Sequence, residues 1–264
     1  MNRPVPTVER RAKSVQAVDR TLAILETLAT HPGPVPLSVL AREVGLNVST
    51  VHRLLHTLMG RGFVQQEADS GRYKLGLKVF ELGTAALAAL DVRQVGRAFL
   101  EEIVRATNET ANLVVLDQHE VVYVDQVESS RQVKMSARIG SRAPLHCTGA
   151  GKAILAHLPP AERDALLERL NLVRRTARTL VDVGDLRRDL TETARRGYSL
   201  DLEEMEDGVR CIAAPVRNSF GRVVAAISVS GPSSRLSDEY LEAKLIPMVK
   251  GAAAQLSARL GYSA

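Results

Sequence analysis

The 264-residue chain predicts an α+β protein, with an N-terminal winged helix-turn-helix, a linker helix and a C-terminal domain built on an antiparallel sheet. Three observations carry that expectation. Two short amphipathic segments meet at Val44-Gly45-Leu46-Asn47, and a hairpin pattern follows them directly. Beyond residue 90, strands, a block of helices, more strands and a final helix succeed one another, the order of an α+β domain.

Taken from the start, Met1 to Lys13 holds Pro4, Pro6, Arg10, Arg11 and Lys13 and reads as a flexible basic arm able to touch phosphates. Ser14 is placed to cap a helix from about Val15 to Ala29. Val15, Val18, Leu22, Leu25 and Leu28 would lie along its buried side, closing the core beneath the helix-turn-helix. His31-Pro32-Gly33-Pro34 ends it.

The stretch from Val35 to Phe80 organises the rest. Gly45 can take the positive φ that ends one helix, and Asn47 can cap the next. In that second helix Val51, Leu54, Leu55 and Leu58 fall on one side, while Ser49, His52, Arg53 and His56, spaced i, i+3, i+4, i+7, fall on the other. A buried apolar side opposite hydroxyl, imidazole and guanidinium groups suits a helix that docks in a DNA major groove. Phe63 to Gln66, the turn Ala68-Asp69-Ser70-Gly71 and Arg72 to Leu75 read as the wing. The expected DNA contacts are Arg53 with Ser49 and Thr50, and beside them His52, His56 and the wing's Arg72. Gly76 to Leu90 reads as a linker helix with apolar residues on several sides, which must be buried somewhere. Packing against its own copy gives a homodimer.

In the remainder, Asp91 to Thr107 reads as an amphipathic helix carrying Val95, Phe99, Ile103 and Val104. Strands are expected at Ala111 to Leu116, Glu120 to Val127 and Val133 to Ser136. Helices follow after Gly149, at Ala161 to Leu170 and at Leu186 to Arg196. Strands return at Tyr198 to Leu202, Val209 to Arg217 and Val223 to Ser230, before a long helix from Asp238 to Leu260. Aromatic residues make up 3% of the chain and Trp is absent, so the cores must be aliphatic.

Charge and cysteine usage narrow the function class. The chain is net +5, and residues 1–90 hold 11 Lys and Arg against 7 Asp and Glu, so most of the excess sits on the reading head, as a polyanionic partner requires. No apolar run reaches the roughly 18 residues of a membrane helix, and the N-terminus lacks the apolar segment of a secretory signal. Cys147 and Cys211 form neither a disulfide framework nor a four-ligand zinc pattern, which points to a reduced cytoplasmic setting without cofactor or structural metal.

Five ordered motifs then carry a resemblance over nearly the whole chain: G-L-N-V-S-T-V-H-R-L-L (Gly45 to Leu55), R-A-P-L-H-C-T-G-A-G-K-A-I-L-A (Arg142 to Ala156), R-R-G-Y-S-L-D-L-E-E (Arg195 to Glu204), G-V-R-C-I-A-A-P-V (Gly208 to Val216) and G-R-V-V-A-A-I-S-V-S-G-P (Gly221 to Pro232). With these the sequence resembles the IclR family of bacterial transcription regulators. The resemblance implies a GAF-like effector-binding domain after the linker, and dimers or dimers of dimers on palindromic double-stranded operators, with a repressor favoured over an activator. It also implies a cup for small acidic metabolites, floored by Gly149 and Ala150. Asp201, Cys211, Ser228 and Ser230 would form its walls, with Met135, and Ala143 as a further contact, near the mouth. Residue chemistry points the same way. Gly149, Ala150 and Gly151 open a helix whose free amides can hold a carboxylate, and Ser228 and Ser230 alternate so that both face one side of a strand. Lys152 follows in the first turn, its side chain equally able to reach solvent.

Other classes stay open at this level. His146, Cys147, Asp201 and Cys211 supply the names of an enzyme's nucleophile, base and acid, but the two neighbours would point apart and no catalytic motif frames them. A metal-responsive site at His146, Cys147 and Cys211 lacks a fourth ligand, and Cys211 could instead be a redox-sensing thiol.

Overall fold

The computed structural model describes residues 15–88 and 91–263; the basic arm, the Ser14 cap and the end of the expected linker at Ala89-Leu90 lie outside the described residues. The chain divides into two compact units between Ala86 and Leu87.

In the first unit, α1 (Gln16–Thr30), α2 (Leu37–Glu43) and α3 (Val48–Gly60) precede the hairpin β1 (Val64–Gln66) and β2 (Tyr73–Leu75), and α4 (Leu77–Ala88) follows. This is a winged helix-turn-helix. Gly45 takes φ +66° between α2 and α3, and the Asn47 carboxamide oxygen accepts the Thr50 amide at 2.8 Å, so the turn is built as its residues dictate. The core joins Ile24 and Leu28 of α1, Leu40 and Ala41 of α2, Val51, Leu55 and Leu58 of α3, and Val64 and Tyr73 of the wing. The stripe expected along α1 is only half right. Leu28 is buried and Leu25 packs against the core, but Val15, Val18 and Leu22 are 65%, 53% and 49% exposed, and Ile24 takes the fully buried place. Only the C-terminal half of α1 lies against the rest of the unit, so the apolar period at its start finds no core to enter.

The second unit orders its elements as α5 (Asp91–Thr107), β3 (Thr110–Asp117), β4 (Glu120–Val127), β5 (Arg142–Pro144), α6 (Gly149–His157), α7 (Pro160–Leu167), α8 (Val183–Arg196), β6 (Ser199–Leu202), β7 (Val209–Arg217), β8 (Val223–Pro232), α9 (Asp238–Tyr240) and α10 (Ile246–Arg259). The strands form one antiparallel sheet in the order β5-β4-β3-β8-β7-β6. Strand alternation divides its faces. Leu113, Ile212, Ala214, Ile227 and Val229 pack with α5 and α10 in one cluster, while Val114, Ala213 and Ala226 pack with α6, α7 and α8 in another.

One expectation fails here for an identifiable reason, and another is met with a local irregularity. Val133 to Ser136 is not a strand: Thr110 Oγ1 donates to the Met135 carbonyl at 2.6 Å and Arg235 Nη2 to the Val133 carbonyl at 3.0 Å, so side chains take the acceptors a ladder would use. The closing helix runs from Asp238 to Arg259 as expected, but it carries a π-helical turn at Leu241–Leu245 just before Pro247, which has no amide to give to the preceding turn. Among the described residues no helix is long and apolar enough to cross a membrane.

Candidate DNA-reading helix and effector cavity

On α3, burial and exposure follow the helical period. Val51, Leu55 and Leu58 are inside, Leu54 is half-buried, and Ser49, His52, Arg53 and His56 are exposed, with Thr50 intermediate. Ser49 Oγ donates to Asn47 Oδ1 at 3.0 Å, which holds its lone pairs outward beside the cap. The side chains of His52, Arg53 and His56 make no hydrogen bond or ion pair among the described residues, so their donors are available to a ligand. The wing tip is braced by Lys74 Nζ to Glu67 Oε1 at 3.2 Å and Ser70 Oγ to Glu67 Oε2 at 3.0 Å. Together these hold the Glu67 carboxyl below its usual range and leave the exposed Arg72 guanidinium outside the brace.

In the second unit, the sheet face opposite α5 and α10 carries a row of polar positions. Register places Asp201 opposite Cys211, Cys211 opposite Ser230, and Ser228 opposite Asn112, so alternation aims all of them at the same side. Above them opens a cavity of about 80 Å³, lined by all seven residues expected to contact an effector: Met135, Gly149, Ala150, Asp201, Cys211, Ser228 and Ser230. In this measure a single water needs about 10–15 Å³, so the space accepts a small organic molecule.

The floor is the start of α6. Thr148 caps the helix by accepting the Gly151 amide at 3.2 Å, and the Lys152 amide goes to the Thr148 carbonyl at 3.0 Å. The Gly149 amide is directed at the Cys211 sulfur, which leaves Ala150 as the first-turn amide with no acceptor among the described residues. A side chain at Gly149 would put its Cβ 3.0 Å from Cys211 Sγ, so only glycine lets helix and strand approach this closely. Asn112 Nδ2 donates to Ser228 Oγ at 3.3 Å and to Ser230 Oγ at 3.4 Å, and its own carbonyl accepts Gln126 Nε2 at 2.7 Å. Asn112 takes one lone pair of each hydroxyl; the Ser228 hydroxyl also meets the Cys211 sulfur, while the Ser230 hydroxyl makes no other hydrogen bond among the described residues. No Lys or Arg lines the cavity.

Asp201 is 3% exposed, and its Oδ1 accepts the amides of Glu204 at 2.7 Å and Met205 at 3.3 Å. Burial pushes its carboxyl up to about 7, against those two hydrogen bonds. Burial likewise pushes the thiols of Cys147 and Cys211 up to about 12, with the Asp201 charge adding to the effect, so neither has the thiolate character a reactive or redox-sensing cysteine needs.

Lys152 does not reach solvent. It is 1% exposed, its Nζ 2.5 Å from Glu204 Oε1 and 3.2 Å from Asp189 Oδ2, set beneath the cavity and outside its lining. Ala143 pairs with Val121 in the core and not in the cavity. His146 Nε2 lies 3.0 Å from the Val173 carbonyl and Cys147 Sγ 3.6 Å from Met205 Sδ, so the neighbours serve different partners. Among the described residues no group of three or more His, Cys, Asp or Glu could hold a metal ion. Sequence reading missed Asn112, Tyr123, Ser136, Ala137, Thr148, Met205, Glu206 and Val209 in the lining. Asn112 carried a faint signal, as a polar residue inside an apolar strand, but its place beside Ser228 depends on a strand pairing over a separation of 116 residues.

A winged helix-turn-helix followed by a cavity-bearing α+β domain is the construction of a DNA-binding transcriptional regulator. Residues 17–68 match the IclR helix-turn-helix domain, and residues 84–258 match the family profile described as bacterial transcriptional regulator IclR C-terminal. The chain belongs to the IclR family. It is 38% identical to the HTH-type transcriptional regulator XynR of Escherichia coli K12, over 95% of this chain and 99% of that protein. It is 40% identical to the transcriptional repressor IclR of the same strain, over 85% of this chain and 83% of that one. Among solved structures, an IclR homolog complexed with 4-hydroxybenzoate from Microbacterium hydrocarbonoxydans superposes with a TM-score of 0.82 at 28% identity, covering 94% of this chain and 100% of that one.

Proposed function

We propose that this regulator is a repressor that binds a palindromic operator as a homodimer or dimer of dimers, with Ser49, Thr50, His52, Arg53, His56 and Arg72 facing the DNA. A small organic acid in the C-terminal cavity modulates that binding. The observation that carries the effector reading is the donor set. The Ala150 amide at a helix N-terminus and the Ser228 and Ser230 hydroxyls converge on one small cavity without a cation, which suits a single carboxylate and not a polyphosphate. The 4-hydroxybenzoate complex of the related protein supports a monocyclic or smaller acid.

For the dimer, the support is exposure. Leu77 and Phe80 of α4 are each 71% exposed and Leu82 is 51% exposed, a surface that a second copy of α4 would cover. Two-fold symmetry matched to a palindrome multiplies the discrimination of one half-site. Coupling between ligand and operator of about 1–3 kcal/mol is enough for regulation.

The test is a thermal-shift screen with small monocarboxylates, followed by footprinting upstream of the protein's own gene with and without the best of them. A stabilising acid that shifts operator occupancy supports the reading. Stabilisation by neutral amides alone, or occupancy indifferent to every bound acid, overturns it.

A further inference from the structure

The acid groups around the cavity floor outnumber the cations. Asp201, Glu204 and Asp189 gather around one buried ammonium, that of Lys152. Lys152 Nζ makes its hydrogen bond to Glu204 Oε1, while Glu204 Oε2 is buried without a partner. Asp189 Oδ2 lies 3.2 Å from the same nitrogen but at an angle that makes no hydrogen bond. Asp201 Oδ1 is filled by two amides, and no described donor reaches its other oxygen.

The remaining titratable neighbours offer little relief: the exposed Arg175 guanidinium acts on His146 and Cys147 but is not among the charges that act on Asp201. Tyr123 of β4, Cys147 before α6 and Cys211 of β7 are all held in their neutral forms by burial and by the Asp201 charge. Glu206 at the cavity rim is a further acid, and His146 is held below its usual range by burial and so is neutral near pH 7. A ligand carboxylate would add a further negative charge, against the Asp201 carboxyl and in a space with no cation of its own.

Resting on the effector reading above, we infer that the cavity takes a monocarboxylate together with one proton, held on Asp201, so that Asp201 is a donor to the ligand. The ligand arrives ionised and keeps both oxygens as acceptors: one for the Ala150 amide and serine hydroxyls, one for the Asp201 hydroxyl. The proton comes from solvent. The direction follows from the balance. Below the titration of Asp201, near 7, the proton is already in place and affinity is flat; above it each pH unit weakens binding close to tenfold. The opposite arrangement, with an ionised Asp201 accepting from a ligand hydroxyl, would make affinity flat or rising over the same range.

The experiment is titration calorimetry on the full chain from about pH 6 to about pH 8.5, with 4-hydroxybenzoate, benzoate, lactate and butyrate as probes, all ionised at the carboxylate throughout. The tightest probe is repeated in two buffers of different ionisation enthalpy, to count protons. Uptake of about one proton at the alkaline end and affinity falling with pH are expected for the wild type. Asp201→Asn, whose carboxamide imitates the protonated acid and can still accept both loop amides, is expected to bind with no pH dependence. Glu204→Gln is expected to keep the dependence. A pH-flat wild type without proton uptake overturns the inference, as does pH dependence surviving in Asp201→Asn, or loss of ligand from a folded Asp201→Asn protein. If no monocarboxylate binds at any pH, the effector reading itself has failed.

Discussion

Lys152 gives the sharpest test of the electrostatics beneath the cavity. Replacing it by Met keeps most of the volume of a side chain that is 1% exposed but leaves Glu204, with a side chain 10% exposed, without its counter-ion. Removing one partner of a buried pair costs about 3–5 kcal/mol, because the remaining charge is stranded. Asp189 adds less, since its 26% exposed side chain can recruit water. For a domain of this size about 2–4 °C is lost per kcal/mol, so melting is expected to fall by roughly 6–20 °C near neutral pH. Trp is absent, so far-UV circular dichroism or calorimetry is the assay.

The pH dependence has a definite sign. Burial already holds the Glu204 carboxyl above its usual range, opposed by Lys152 through charge and hydrogen bond. Without Lys152 the folded-state value rises further, so the folded variant binds the proton more tightly than the unfolded chain does. Its stability therefore falls as pH rises, and the deficit against wild type narrows on acidification from the variant's raised value down to the wild type's, both above the usual carboxyl range. Lys152→Met/Glu204→Gln is expected to recover most of the loss. A single variant within about 1 kcal/mol of wild type at neutral pH, or a deficit that widens in acid, refutes the account.

Three further outcomes are expected. Arg53→Ala weakens operator binding by about 1–3 kcal/mol and relaxes base preference if the guanidinium is bidentate to guanine; equal losses on all sequences with a shallower salt slope would assign it to phosphate, and unchanged affinity would remove α3 from the interface. Phe80→Glu, at a position 71% exposed, yields a monomer by light scattering with weak operator binding, whereas an intact dimer would place the interface elsewhere. Ser228→Ala/Ser230→Ala loses about 1–3 kcal/mol of affinity for the best monocarboxylate, through two missing hydrogen bonds to a charged group; unchanged affinity, or equal binding of the neutral amide, would move the carboxylate from this wall.

The reading head was almost wholly legible in the chain because its information is local. Gly45, Asn47 and the period of Val51, Leu55 and Leu58 set a turn, a cap and a buried face within 14 residues, and the structure builds them directly. The cavity lining expected at Gly149, Asp201, Cys211 and Ser230 was also marked in advance, by motifs spread along the second half of the chain. What those motifs cannot specify is pairing. That Asn112 stands beside Ser228, that Thr110 binds the Met135 carbonyl and dissolves an expected strand, and that Val15, Val18 and Leu22 meet no core are all decided by which elements finally lie together. The charge state of the site belongs to the tertiary level for the same reason. Asp201 is marked by its motif, but nothing in the sequence sets Lys152, Asp189 and Glu204 together beneath it, and only burial, working against the nearby Lys152 ammonium, turns Asp201 into a group that titrates near neutrality.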